Sequence, residues 1–177
     1  MTDQLSAQDW LKEGLKTLAK RGFGALKAEP LAKAMGVSRG SFYWHFADIG
    51  AFHAAILKYW REVAAEQIIA DVETEGRNDP LRFLLQRAFG ARLELEKAVR
   101  SWATFDGAAR AAVQAIDRRR LDYVEGLLRS AGLAQATARA RAQILYWAFV
   151  GFALSDESLP RNRMQAVLDE LLRIASS

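Results

Sequence analysis

Arg39, Ser41, Tyr43 and His45 put four hydrogen-bonding side chains into seven residues, with Ser38 beside them and Lys27 upstream. A guanidinium presents paired N–H donors, and hydroxyl, phenol, imidazole and ammonium groups add single donors, so the set suits oxygen acceptors such as phosphates or base edges. Covalent chemistry has no carrier here. The chain has no cysteine, which removes disulfides, thiolate metal sites, cysteine nucleophiles and thiol redox sensing together. Its two histidines, His45 and His53, stand eight positions apart with no carboxylate pattern around them, so no metal site is expected. No glycine-rich phosphate loop or paired-carboxylate motif appears, so neither a catalytic residue nor a cofactor is expected.

Those donors need a support that holds them on one side. The segment 27–46, KAEPLAKAMGVSRGSFYWHF, reads as two short helices, Ala28 to about Met35 and Arg39 to about His45. Helices this short are not stable alone and must bury their apolar faces against each other and a third helix. Ala32 is small where the two should cross, Gly36 allows the left-handed turn between them, and Val37 fills the angle. Ser38 caps the second of the pair, and Phe42 and Phe46 anchor it inward. That leaves Arg39, Gly40, Ser41 and Trp44 facing out. A helix start with small and cationic residues can enter the major groove of DNA. Arg39 can pair with guanine, Ser41 can reach a base edge or a phosphate, and Gly40 lets the backbone come close. Tyr43, His45 and Lys27 suit phosphate oxygens, which fix register without reading sequence. Trp44 has two readings: contact with a thymine methyl or sugar, or packing on the first helix. The candidate DNA contacts are therefore Lys27, Ser38, Arg39, Gly40, Ser41, Tyr43, Trp44 and His45.

Charge points the same way without deciding the matter. The net charge is +4, and residues 1–60 carry eight Lys/Arg against five Asp/Glu, whereas the remainder carries seventeen against sixteen. A phosphate-bearing partner favours such a bias, although a solvated basic face would also produce it.

The whole chain reads as all-α, about nine helices, with no alternating run long enough for a strand. A first helix spans Ala7 to about Lys20, capped by Ser6 with Asp9 in its first turn and carrying Leu11, Leu15 and Leu18 as an apolar stripe. A fourth spans Ile49 to about Val72, capped by Asp48 and burying Phe52, Ala55, Ile56, Tyr59, Trp60 and Val63 at three-four spacing. The turn-forming stretch 73–79 separates it from helices expected near 80–92, 94–105, 108–131, 134–156 and 161–175. The most apolar run, Ile144 to Leu154, is shorter than the roughly 20 residues that cross a bilayer, so no membrane partner is expected. The polar Met1–Gln8 lacks the pattern of a secretion signal, which makes the expected location cytoplasmic.

The pattern Leu31-Ala32 followed by Met35-Gly36-Val37-Ser38-Arg39-Gly40-Ser41-Phe42-Tyr43-Trp44-His45-Phe46 closely resembles the TetR family of transcriptional repressors, in which a similar run ends in Tyr-x-His-Phe after a Gly-Val-Ser turn. The resemblance covers about residues 6–60. It implies a helix-turn-helix DNA-binding domain over 1–50, a helical effector-binding and dimerisation domain over 51–177, and a homodimer on a double-stranded DNA operator, released by a small-molecule effector. The family usually carries a lysine at the start of the fourth helix; here Ala47-Asp48-Ile49-Gly50 has no cation. The backbone amides there can still donate to phosphate, with Asp48 competing for them.

For the remainder, Ile144 to Leu154 is apolar on every face and must be covered all round. Small residues at Ala148, Gly151 and Ser155, with Phe152, and Leu168, Leu171 and Leu172 on the last helix, form the expected dimer interface; a monomer core is the other reading. Phe83, Phe89, Trp102, Phe105, Tyr123 and Trp147 either line a pocket for a small apolar or aromatic effector or belong to the core. Asp117-Arg118-Arg119-Arg120 reads as a solvated face with local ion pairs, or as a site for an anionic ligand. An enzyme built on the aromatic helices, and a DNA-binding protein with no effector, are the competing functional readings.

Overall fold

The structure, a computed structural model, describes residues 5–76, 78–90, 93–155 and 159–176. Among them every regular element is helical: α1 (Ala7–Arg21), a 3-10 turn (Phe23–Ala25), α2 (Ala28–Ala34), α3 (Arg39–Tyr43), α4, α5 (Pro80–Gly90), α6 (Glu94–Trp102), α7 (Gly107–Ser130), α8 (Gln135–Leu154) and α9 (Arg161–Ser176). Helix α4 runs as an α-helix over Ile49–Arg61, passes through a π-helical turn at Glu62–Glu66 and resumes at Gln67–Thr74. Counted so, there are nine helices among the described residues, as expected.

Local chemistry explains the boundaries. Ser6 and Asp9 form a reciprocal capping box, Ser6 N–H donating to Asp9 Oδ2 at 2.9 Å and Asp9 N–H to Ser6 Oγ at 3.3 Å. Gly22 ends α1 at φ 75°. Asp48 caps α4 by accepting from the Ala51 amide at 2.7 Å. Two expectations fail at α3. Its α-helical run stops at Tyr43 instead of His45, and the Ser38 side chain makes no capping bond; Ser41 N–H is held by the Ser38 carbonyl instead, at 3.0 Å.

The chain packs as two compact units, residues 1–63 with 93–114, and residues 64–92 with 115–177. These units are drawn differently from a division at residue 50, because α6 and the start of α7 pack with the N-terminal helices. In the first unit α1 packs against α6 and α4. Its buried face comprises Trp10, Gly14, Leu15, Thr17 and Leu18, so Leu15 and Leu18 of the expected stripe are buried while Leu11 is only half-buried. Glu96 is buried too, its carboxylate 2.9 Å from Arg100 Nε one turn on.

In the second unit α5, α7, α8 and α9 enclose a core that includes Leu85, Phe89, Leu128, Leu145, Leu168 and Leu171. Leu168 and Leu171, expected at a dimer interface, are thus committed to the core of a single chain, at 6% and 8% exposure. Leu172, Ala148 and Phe152 pack partly against the same core, while Gly151 and Ser155 are exposed. The last turn of α9 is tied to α8 by Arg141 Nη1, which donates to the Ala175 carbonyl at 3.0 Å. Among the described residues no helix is long and apolar enough to cross a membrane.

Candidate nucleic-acid interface

Helices α2 and α3 meet as the sequence requires. Gly36 adopts φ 71°, Val37 N–H donates to the Ala32 carbonyl at 3.0 Å, and Ala32 is buried at the crossing. A side chain at Gly36 would meet no obstacle, so its positive φ alone selects glycine. Phe42 is the anchor. Fully buried, it packs edge-on against Trp10 of α1 and Phe52 of α4, with ring centres 5.3 and 5.2 Å apart, and touches Phe46 at 5.3 Å. One aromatic side chain thereby fixes α3 to both supporting helices, and the pairings add to its area burial. Trp10 was not among the residues singled out in the sequence; the lone tryptophan just inside the Ser6 cap was the available signal.

With Phe42 inward, the opposite side of α3 is free. Ser38, Arg39, Gly40, Tyr43 and Trp44 are exposed, and Ser41 and His45 are half-buried at the margins. Trp44 is 85% exposed, which discards its reading as a residue packed on α1. Arg39 Nη2 donates to the Tyr43 hydroxyl at 3.2 Å, and this contact raises the already high pKa of the guanidinium. A Cβ at Gly40 would meet only Ser38 Oγ, at an ordinary 3.6 Å. The fold therefore does not require glycine there. Lys27 is exposed at the start of α2. Just before it, the Leu26 carbonyl accepts from His53 Nε2 at 2.9 Å, which fixes the imidazole tautomer as Nε2–H. His53 also packs against Phe23 and Trp102, so its role is structural.

At the start of α4 the Asp48 carboxylate already occupies the Ala51 amide. The cap expected at Asp48 is thus formed, and it places a carboxylate at this helix start.

The six aromatic residues considered for an effector site are divided between the two units. Trp102 and Phe105 belong to the first unit, where Trp102 is buried and stacked on Phe23 at 4.6 Å and Phe105 is 64% exposed. Phe83, Phe89, Tyr123 and Trp147 belong to the second. There Phe89 stacks on Phe152 at 5.2 Å, Phe83 and Tyr123 are half-buried, and Trp147 is 66% exposed. Burial pushes the Tyr123 phenol pKa up, Glu73 adding to the shift and Arg119 opposing it. The run 117–120 is solvated only in part: Arg118 and Arg119 are exposed, Asp117 and Arg120 half-buried. Asp117 accepts from the Tyr146 hydroxyl at 2.5 Å, Arg119 pairs with Glu66, and Arg120 donates to the Ala64 carbonyl.

Comparison with known proteins agrees with this geometry. Residues 11–56 match the family model of bacterial regulatory proteins, tetR family. The chain is 26% identical over 84 residues to the uncharacterized HTH-type transcriptional regulator YerO of Bacillus subtilis (strain 168), a match covering 48% of this chain and 29% of that protein. The matched stretch is thus under a third of the relative's length. Among solved structures, Escherichia coli NemR in its reduced form aligns with a TM-score of 0.69 at 17% identity, covering 95% of this chain and 96% of NemR. BioQ with its natural double-stranded DNA operator aligns with a TM-score of 0.51 at 21% identity, covering 98% and 99%.

Proposed function

We propose, from the match of residues 11–56 to the model of bacterial regulatory proteins, tetR family, that the protein is a DNA-binding transcriptional regulator of that family: a homodimeric repressor released from its operator by a small molecule. The observation that carries this reading is the free face of α3, where Arg39, Gly40, Tyr43 and Trp44 stand exposed while Phe42 locks the helix from behind. Arg39 reads a base edge, Tyr43 and Lys27 hold phosphates, and Trp44 meets a thymine methyl or a sugar. BioQ, of similar fold, is solved on an operator. Acting on chromosomal DNA places the protein in the cytoplasm.

Dimerisation is supported by what α8 leaves uncovered. Ile144, Trp147, Gly151 and Leu154 recur at alternating four- and three-residue intervals and are all exposed, as is Val167 on α9. An apolar seam with that spacing suits a facing helix. Two copies joined along it would present paired α3 helices to half-sites about 34–36 Å apart. Trp147 thus moves from the effector set to the interface, and Gly151 and Ser155 stay there. The effector, small and apolar or aromatic, is assigned to the second unit, near Phe83, Phe89 and Tyr123. By binding one arrangement of the dimer better than the operator-bound one, it lowers DNA affinity, and DNA lowers effector affinity equally.

Mobility shifts of the full chain on the DNA upstream of its own gene, over a range of salt, test the reading. A band that persists against unrelated competitor DNA is expected; binding without any sequence preference overturns it. A small-molecule screen by thermal shift, run on the same dimer, tests release: a stabilising compound should also dissociate the band.

A further inference from the structure

The segment 27–46 carries three cations, Lys27, Lys33 and Arg39, and one acid, Glu29. Glu29 lies in the first turn of α2 and is exposed, and its carboxylate makes no hydrogen bond or ion pair among the described residues. Helices α2 and α3 belong to the same compact unit, where the bond from Val37 N–H to the Ala32 carbonyl ties them together. Arg39 opens α3, also exposed, with Nη2 donating to the Tyr43 hydroxyl at 3.2 Å. Glu29 acts on this guanidinium too. The pKa of Arg39 is raised first by Tyr43 and then by Glu29, against desolvation, so the carboxylate stands near enough for its charge to be felt there without an ion pair.

A carboxylate in a first turn stabilises a helix through its end charge, whatever the helix meets. On a surface that meets DNA the same charge is unfavourable, because it repels the phosphates. What sets Glu29 apart is its neighbour. A guanidinium beside DNA has two kinds of acceptor in reach: the edge of a guanine, which is neutral, and a phosphate, which is an anion. Phosphate pairing is offered by every sequence and carries no information. A fixed negative charge near the guanidinium penalises the approach of a phosphate and leaves the neutral base edge far less affected. Discrimination then comes from repelling the wrong contact as well as from making the right one.

We propose that Glu29 is a specificity-determining residue: its carboxylate, exposed and unpaired on the helix packed against α3, keeps phosphates off Arg39 and so reserves the guanidinium for a base edge. The inference deepens the proposed DNA-binding function and rests on it.

Glu29→Gln keeps the size of the side chain and removes its charge. Fluorescence anisotropy of the full chain, on the DNA upstream of its own gene and on an unrelated duplex of equal length, compares wild type, E29Q, R39A and the double variant at one low salt concentration. E29Q should bind the unrelated duplex about two- to fivefold tighter, the scale of one exposed charge pair. Binding to the upstream DNA should tighten less, so that the preference between the two falls. In the R39A background the same exchange should have less than half the effect on the unrelated duplex, because the group that would take the phosphate is gone. Equal tightening on both duplexes overturns the proposal, since charge is then acting without discrimination. So does an equal effect of E29Q with and without Arg39, or no change in either affinity. A role confined to stabilising α2 would lower the melting temperature of E29Q and leave the ratio of affinities where it was, which also overturns it. Should wild type prefer neither duplex, the proposed function is lost, while the four-variant comparison on the unrelated duplex still judges whether Glu29 guards Arg39. Absence of binding to either duplex overturns both.

Discussion

Arg39 and Tyr43 hold each other one helical turn apart, the guanidinium donating to the phenol oxygen at 3.2 Å with its central carbon 5.6 Å from the ring centre. A phenol that accepts from Arg39 still has its own proton to give, and a phosphate is the acceptor the proposed complex would bring. The two side chains then act as base reader and phosphate anchor from one preset geometry. Arg39→Ala should flatten the base preference at one position of each half-site, by about 1–3 kcal/mol against the wrong bases. Tyr43→Ala should weaken binding to every sequence alike. Fluorescence anisotropy against single-base operator variants separates these outcomes, and an intact preference in R39A removes Arg39 as the reader.

Asp48 should set a ceiling on DNA affinity. Asn is as good an N-cap as Asp, so Asp48→Asn keeps the Ala51 contact while removing a negative charge at the helix start. Affinity for operator and for unrelated DNA should rise together, by about 0.3–1 kcal/mol at low salt, with melting temperature little changed. Equal affinities for wild type and D48N would show that no phosphate approaches this helix end.

Gly14 on α1 packs closely against Phe52 and Ile56 of α4. A Cβ there would collide with Ile56 Cδ1 and stand 2.8 Å from Phe52 Cζ. Gly14→Ala should therefore destabilise the chain by about 1–3 kcal/mol despite the better helix propensity of alanine, because Phe52 is wedged against Phe42 and cannot retreat freely. Denaturant unfolding measures this directly; a stabilised G14A would mean that the two helices separate easily.

Trp147 should hold the dimer. At 66% exposure in the single chain it lies outside the core of the second unit, so Trp147→Glu should leave the fold intact and shift sedimentation to the monomer. Operator affinity should fall with it, since one α3 reads only one half-site. A W147E protein that remains dimeric places the interface elsewhere.

The helices and the recognition motif were legible in the sequence because their causes are local. A capping box at Ser6–Asp9, a positive-φ glycine at 36, a cap at Asp48 and three-four periodicity act within a turn or two, and they put most helix ends within a few residues. The exposed face of α3 followed as well, since Phe42 and Phe46 four residues apart leave one direction outward. Where a local signal was ambiguous, it misled: the Ser38 side chain does not cap, and α3 stops two residues early.

Everything that depended on which helix meets which was decided by the tertiary structure. Leu168 and Trp147 are both large apolar residues on amphipathic or apolar helices, yet one is enclosed by α5, α7 and α8 and the other is left bare. Gly14 is constrained only because Phe52 and Ile56 pack beside it from about forty residues away in the chain. The run Asp117–Arg120 looked like surface charge until Ala64, Glu66 and Tyr146 supplied its partners. Periodicity specifies a face, and a face acquires a role only from the surface that packs on it, which long-range pairing of helices alone provides.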